Sequence, residues 1–251
     1  MFGEKVEEKG KALIARDCGR SLFVCTEVLR IGIVCSLFTK NSSCDNIEHI
    51  FNERIINREN EMETRKEQKD RRRQEIICAA LELFVSRGYA ATKITDIAKK
   101  ANMSTGLMFH YFASKESLYE ELVKIGLEGT RYPGEQKCEH AIDFFVKFTE
   151  ELFAYMKEQP MVAKFFVLMA EAGRSDATPE HIREMAMRVN VIEQFVTIIE
   201  WGQQEGTIKE GSPLGLSNAF WCSVQGIAER YATNQEIELP KAEWLVDIIR
   251  K

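Results

Sequence analysis

From Asp70 onward, apolar side chains return at every third or fourth position. Ile76, Ile77, Ala80, Leu81, Phe84 and Val85 form the first such stripe, the spacing of a helix with one buried face. Gly88 follows Arg87, where a left-handed terminus would stop that helix. Thr95 is placed to cap a short helix, DIAKKA. Asn102-Met103-Ser104 reads as a tight turn, and Ser104 and Ser114 are placed to cap the next two helices. Beyond Gly129, longer amphipathic runs predict helices near 137–158, 160–173, 178–204, 213–234 and 240–250. Pro160, Pro179, Pro213 and Pro240 each fall near a helix start, where a missing N–H costs little. No run alternates with period two for long enough to make a sheet, so the expected fold class is all-α.

Charge changes the picture more than composition does. The formal net charge of −5 hides a strong asymmetry. Residues 65–115 carry 11 basic and 5 acidic side chains, whereas residues 116–251 carry 14 and 23. A short basic segment joined to an acidic remainder confines contact with a polyanion to one end. The seven cysteines are odd in number and contain no C-x-x-C pair. That pattern fits reduced thiols in a cytoplasmic protein, not a disulfide framework or zinc knuckle.

Residues 1–61 read as an atypical extension. The apolar stretch 21–38 is interrupted by Glu27 and Arg30, each costing roughly 2.5–3.5 kcal/mol near the centre of a bilayer, so no membrane anchor is expected. Met62 opens a polar run leading directly into the first helical stripe. Arg58-Glu59-Asn60-Glu61 can be encoded as AGG-GAG-AAT-GAA, a purine-rich ribosome-binding sequence just before an ATG. Translation is therefore expected to start at Met62, with 1–61 being upstream sequence read in frame.

Residues 93–112, KITDIAKKANMSTGLMFHYF, suit two helices crossing at a tight turn. Ile94 and Ile97 would face inward, and Ala98 is small where the helices cross. Asn102 tolerates the positive φ that the turn requires. Met103 and Met108 would anchor the second helix. Ser104, Thr105, Gly106, Phe109, His110 and Tyr111 are left on or near its outer face, which can enter a major groove. An ordinary helical hairpin shares this pattern. The cluster Arg71, Arg72, Arg73, Lys93, Lys99, Lys100 and Lys115 favours the helix-turn-helix.

AALELFVSRGYAATKITDIAKKA, the turn NMS and HYFASKESLYEELV occur in one register from about Arg73 to Leu122. This segment resembles the DNA-binding domain of the tetracycline-repressor (TetR) family. The resemblance implies a three-helix DNA-binding domain with a helix-turn-helix over 62–121. A larger helical ligand-binding and dimerisation domain would follow over 122–251. It also implies a homodimer, a palindromic double-stranded operator, a small-molecule effector and no enzyme activity. Thr95 and Lys115 would meet phosphates at helix N-termini, with Lys93 and Ser104 beside them. Thr105 and Gly106 would approach the groove floor, and Tyr111 or His110 would touch backbone or base edges; His110 equally suits a solvated or packing role. Arg71, Arg72 and Arg73 would form a phosphate or minor-groove arm, or simply a solvated helix start. Three positions depart from the family pattern. Asn102 replaces a usual glycine, Thr105 a usual lysine, and Phe109 a frequent tyrosine.

In the second domain, Phe144, Phe148, Phe165, Phe166 and Met169 would line a pocket for an apolar or aromatic effector, although the same side chains suit a plain core. Phe220, Trp221, Val224, Tyr231 and Trp244 would build the dimer interface, with intramolecular packing claiming some of them. No G-x-S-x-G, P-loop, H-E-x-x-H or dinucleotide fingerprint is present. No metal or cofactor is expected; Cys138 and His140, two apart, would diverge on a helix. The expected function is a repressor released from its operator by an inducer. The alternative is a DNA-binding adaptor or corepressor-dependent regulator acting without one.

Overall fold

Ten helices and no strand make up the regular structure of the residues that the computed structural model describes, 65–129, 138–188 and 191–251. The expectations for residues 1–61 lie outside the described residues. The helices are α1 (Arg65–Ala91), α2 (Ile94–Lys100), α3 (Thr105–Phe109), α4 (Lys115–Gly129) and α5 (Ala141–Glu158). They continue with α6 (Met161–Arg174), α7 (Glu180–Ala186), α8 (Val191–Gln204), α9 (Pro213–Thr233) and α10 (Ala242–Val246). An isolated antiparallel bridge pairs Ile208 with Arg250. No helix among the described residues is long and apolar enough to cross a membrane.

Local sequence explains most of the boundaries. Gly88 breaks α1 at φ 75°, a conformation that costs glycine little. The buried Thr92 hydroxyl donates to the Leu83 and Gly88 carbonyls there, which satisfies a polar group inside the core. The four prolines mark starts as expected: Pro160 and Pro179 are N-caps, Pro213 is the first residue of α9, and Pro240 shortly precedes α10. The run expected as one helix over 178–204 is instead two, α7 and α8. Ile182 and Ala186 are buried in α7, and continuing their stripe would bury Glu193. Glu193 is exposed, and the buried set restarts at Val191 and Phe195. One straight helix could not bury both stripes.

Two apolar clusters organise the packing. One joins α1–α4 to α6 and α7 through Ile76, Phe84, Ile97, Met108, Leu122, Phe165 and Ile182. The other joins α5, α8, α9 and α10, with Phe145, Phe195, Phe220 and Val246 at its centre. α6 serves both, since Phe165 and Leu168 enter the first and Ala163 the second. The expected boundary at 121/122 falls inside α4, and the core under the helix-turn-helix continues into α6.

Candidate nucleic-acid interface

The helix-turn-helix is α2, a four-residue turn and α3. Lys93, not Thr95, is the N-cap of α2. Its backbone is extended while its carbonyl accepts from Asp96 N and Ile97 N at 3.0 and 3.2 Å, so Thr95 already lies in the first turn, exposed. Asn102 takes the left-handed conformation at φ 52°, as the turn requires, and the Met103 N–H returns to the Ala98 carbonyl at 3.0 Å. The Ser104 hydroxyl accepts from the Leu107 N–H at 3.1 Å and so caps α3. Met108 is fully buried and Phe112 nearly so, which pins one face of α3 to the core. Gly106, Leu107, Phe109 and His110 are exposed on the opposite side, and Thr105 and Tyr111 are half-buried at its margins. Ser114 and Ser117 exchange backbone-to-hydroxyl bonds of 3.0 Å at the start of α4, a reciprocal cap that fixes that helix against the turn.

The basic side chains divide into two groups. Arg71 and Arg72 both pair with Glu75, at 3.2 and 2.8 Å. Arg73 bonds Glu121 at 2.6 Å and lies 5.1 Å from the Phe112 ring centroid, tying α1 to α4. Lys115 donates to the Tyr89 carbonyl at 2.9 Å and lies 4.1 Å from that ring's centroid; burial pulls its ammonium below the ordinary lysine value. Tyr89 stacks with Phe84 and tilts against Tyr119, whose phenol burial pushes up to about 12. These ties join α1 to α4, so Arg73 and Lys115 each have a partner inside the domain. Lys93 and Lys99, in contrast, are exposed and have no ion-pair partner among the described residues.

The residues expected in the effector pocket divide between the two clusters. Phe144 and Phe148 are buried together against Phe195, with centroids 6.1 and 5.2 Å from it. Phe165 and Met169 pack in the first cluster, while Phe166 lies 5.8 Å from the Trp221 ring. A shallow recess of about 420 Å³ on the outer face of α5 is lined by Glu139, Asp143, Val146, Lys147 and Glu150, none of them in the expected set. The expected dimer residues are corrected more sharply. Phe220, Val224 and Tyr231 are buried within the protomer, because the apolar stripe of α9 faces α5 and α8. Trp221 is half-buried against Phe166 and Phe195, and only Trp244 is prominently exposed. Sequence reasoning missed Leu107, an exposed large apolar residue on α3. Its position beside the anchor Met108, off the buried stripe, is the signal that would have found it.

Residues 76–122 match the family profile "Bacterial regulatory proteins, tetR family". The chain is 37% identical over 84 residues to the HTH-type transcriptional regulator HbdR of Aromatoleum sp. (strain CIB), a match covering 29% of this chain and 36% of that protein. It is 26% identical over 160 residues to the HTH-type transcriptional repressor KstR2 of Mycolicibacterium smegmatis, covering 61% of this chain and 78% of that one. The crystal structure of the MbdR regulator from Azoarcus sp. CIB superposes with a TM-score of 0.58 at 21% identity, over 70% of this chain and 96% of that one. With its helix-turn-helix in the family's register, the segment 76–122 is a DNA-binding domain of the tetR family of bacterial regulatory proteins, set in an all-helical frame.

Proposed function

We propose that this chain is a homodimeric cytoplasmic repressor that holds a palindromic operator and leaves it when an apolar or aromatic small molecule binds. The observation that carries the DNA reading is α3. Its inner face is locked by Met108 and Phe112, while its outer face stands exposed beside two unpaired lysines. Such a helix enters the major groove with flanking charges on phosphates. Lys93 and Lys99 hold phosphate, with Thr95 beside them, and Thr105, Gly106, His110 and Tyr111 meet the groove. Ser104 positions α3 through its cap. A two-fold dimer places two such helices about 34–36 Å apart, one turn of DNA. The exposed face of α9, with Ala219, Cys222, Gly226 and Arg230 at helical spacing, supports pairing there.

The test is binding of the full chain to its own upstream DNA across a salt series. A dimer contributing Lys93 and Lys99 from each protomer releases about four counterions, a log–log slope near −3.6. Weak binding that ignores sequence at every salt concentration would remove the reading. Release would follow from a population shift toward a helix separation unsuited to successive grooves. The close packing of Phe144, Phe148, Phe195 and Phe220 supports the second reading, a regulator that needs no inducer. Titrating apolar aromatic compounds into the protein–DNA complex separates the two.

A further inference from the structure

No Arg, Lys, Asn or Gln occurs between Ser104 and Ala113, so the side chains that make bidentate contacts with guanine or adenine are missing from the recognition helix. Large apolar side chains stand there instead. Leu107 is 42% exposed and Phe109 48%. Two of the six large apolar side chains exposed among the described residues thus fall on this five-residue helix.

Their placement on α3 is specific. At about 100° per residue, Gly106 and His110 lie near the middle of the face opposite Met108, and Leu107 and Phe109 flank them on either side. A Cβ added at Gly106 would meet nothing within 4 Å, so the first half of that face is bare backbone that can come close to a groove floor, with the His110 side chain one turn on. The flanking side chains would then lie along the base edges to either side. The apolar group that an unmodified base pair offers in the major groove is the thymine 5-methyl.

We propose that Leu107 and Phe109 read thymine methyl groups, and that each operator half-site carries thymine against both margins of α3. The inference rests on the DNA-binding reading above and adds the base class that this helix selects. Lys93 and Lys99 supply sequence-independent attraction from the flanks, while the apolar pair rewards thymine and leaves guanine N7 and O6 without a bidentate partner.

The experiment selects a duplex from a random pool with the full chain, then replaces each thymine of its footprint, one at a time, by deoxyuridine. That change deletes the methyl and keeps every hydrogen-bonding group. The expected result is two positions per half-site, one for each margin of α3, where binding weakens about 4-fold, the equivalent of one buried methyl. Leu107→Ala and Phe109→Ala should each abolish the sensitivity at one position, with the salt slope unchanged because no phosphate contact is lost. A selected duplex that tolerates deoxyuridine everywhere overturns the proposal without any protein variant, and so does sensitivity that survives in both variants. Failure to select any duplex above background would instead overturn the DNA-binding reading itself, and this inference with it.

Discussion

Glu82 stands where three elements meet, so removing its charge should cost more than an ordinary surface mutation. Its carboxylate on α1 takes Lys100 of α2 at 2.5 Å and Lys164 of α6 at 3.4 Å. Burial pushes the carboxyl up, but the Lys100 hydrogen bond and the charges of both lysines outweigh it and hold the group below its ordinary 4.5. Glu82→Gln keeps the shape and deletes the charge. Lys164, whose side chain is only 15% exposed, then keeps its ammonium largely out of water with no anion beside it. Losing that charge-assisted bond costs about 1.5–3 kcal/mol. The more exposed Lys100 pair adds about 0.2–1 kcal/mol. A total near 2 kcal/mol lowers the thermal midpoint by about 4–8 °C for a chain of this size.

Lys164→Met should cost less than Glu82→Gln, because it removes the buried charge itself and leaves Glu82 paired with Lys100. The pH dependence has a definite sign. A carboxylate depressed in the folded state contributes stability that is present above its unfolded value and is lost as pH falls through the folded one. The difference between wild type and Glu82→Gln should therefore be full at pH 7 and shrink once pH drops below 4.5. Thermal denaturation followed by circular dichroism, at one protein concentration because the midpoint of any self-associating protein depends on it, reads all three proteins. A difference that persists undiminished at acid pH, or a larger cost for Lys164→Met, would refute the reasoning.

Three further outcomes are expected. Gly202→Ala should destabilise the fold by about 1–3 kcal/mol in a denaturant titration, since a Cβ there would meet the Ile208 Cδ1, come within 2.5 Å of its Cγ1 and stand 3.0 Å from the Ala141 Cβ. Arg73→Ala should lower the melting temperature by breaking the α1–α4 tie to Glu121 while leaving the salt slope of DNA binding nearly unchanged, whereas Lys99→Ala should reduce that slope by about two in the dimer. Ala219→Arg, on the exposed face of α9, should convert the dimer to monomers in light scattering and abolish tight operator binding, with the helical spectrum retained; a dimer that survives would move the interface elsewhere.

Local rules carried far in this chain. The stripe from Ile76 to Phe84, the left-handed Asn102, the Ser104 and Ser114 caps and the proline positions all depend on neighbours within about one helical turn, and each is readable from the sequence. Apart from the α2 cap, which is Lys93 and not Thr95, what sequence does not show depends on distant partners. Arg73 is tied to Glu121, 48 residues away, and Lys115 to Tyr89, 26 away. A basic side chain near a recognition helix looks alike in sequence whether it faces phosphate or braces the domain. The same ambiguity misassigned Phe220, Val224 and Tyr231. Periodicity shows that α9 has an apolar face, but it does not say whether that face meets a second protomer or, as here, α5 and α8.

The packing also constrains how an effector signal could reach the DNA. α4 and α6 share the first cluster with the helix-turn-helix, through Leu122, Ile125, Phe165 and Leu168. α6 alone among these reaches into the second cluster, by Ala163. Interiors packed at crystal-like density do not absorb a displacement by compressing. A shift of α6 against α5 and α9 must therefore carry α4 and α1 with it, or break the Lys164–Glu82 pair that spans α6 and α1. The helix-turn-helix is tied to α1 by Arg87–Asp96 and Lys100–Glu82, and Arg73–Glu121 and Lys115–Tyr89 in turn tie α1 to α4. If the proposed effector moves α6, the ties of Arg73 and Lys115 between α1 and α4 would carry that motion toward the recognition helix.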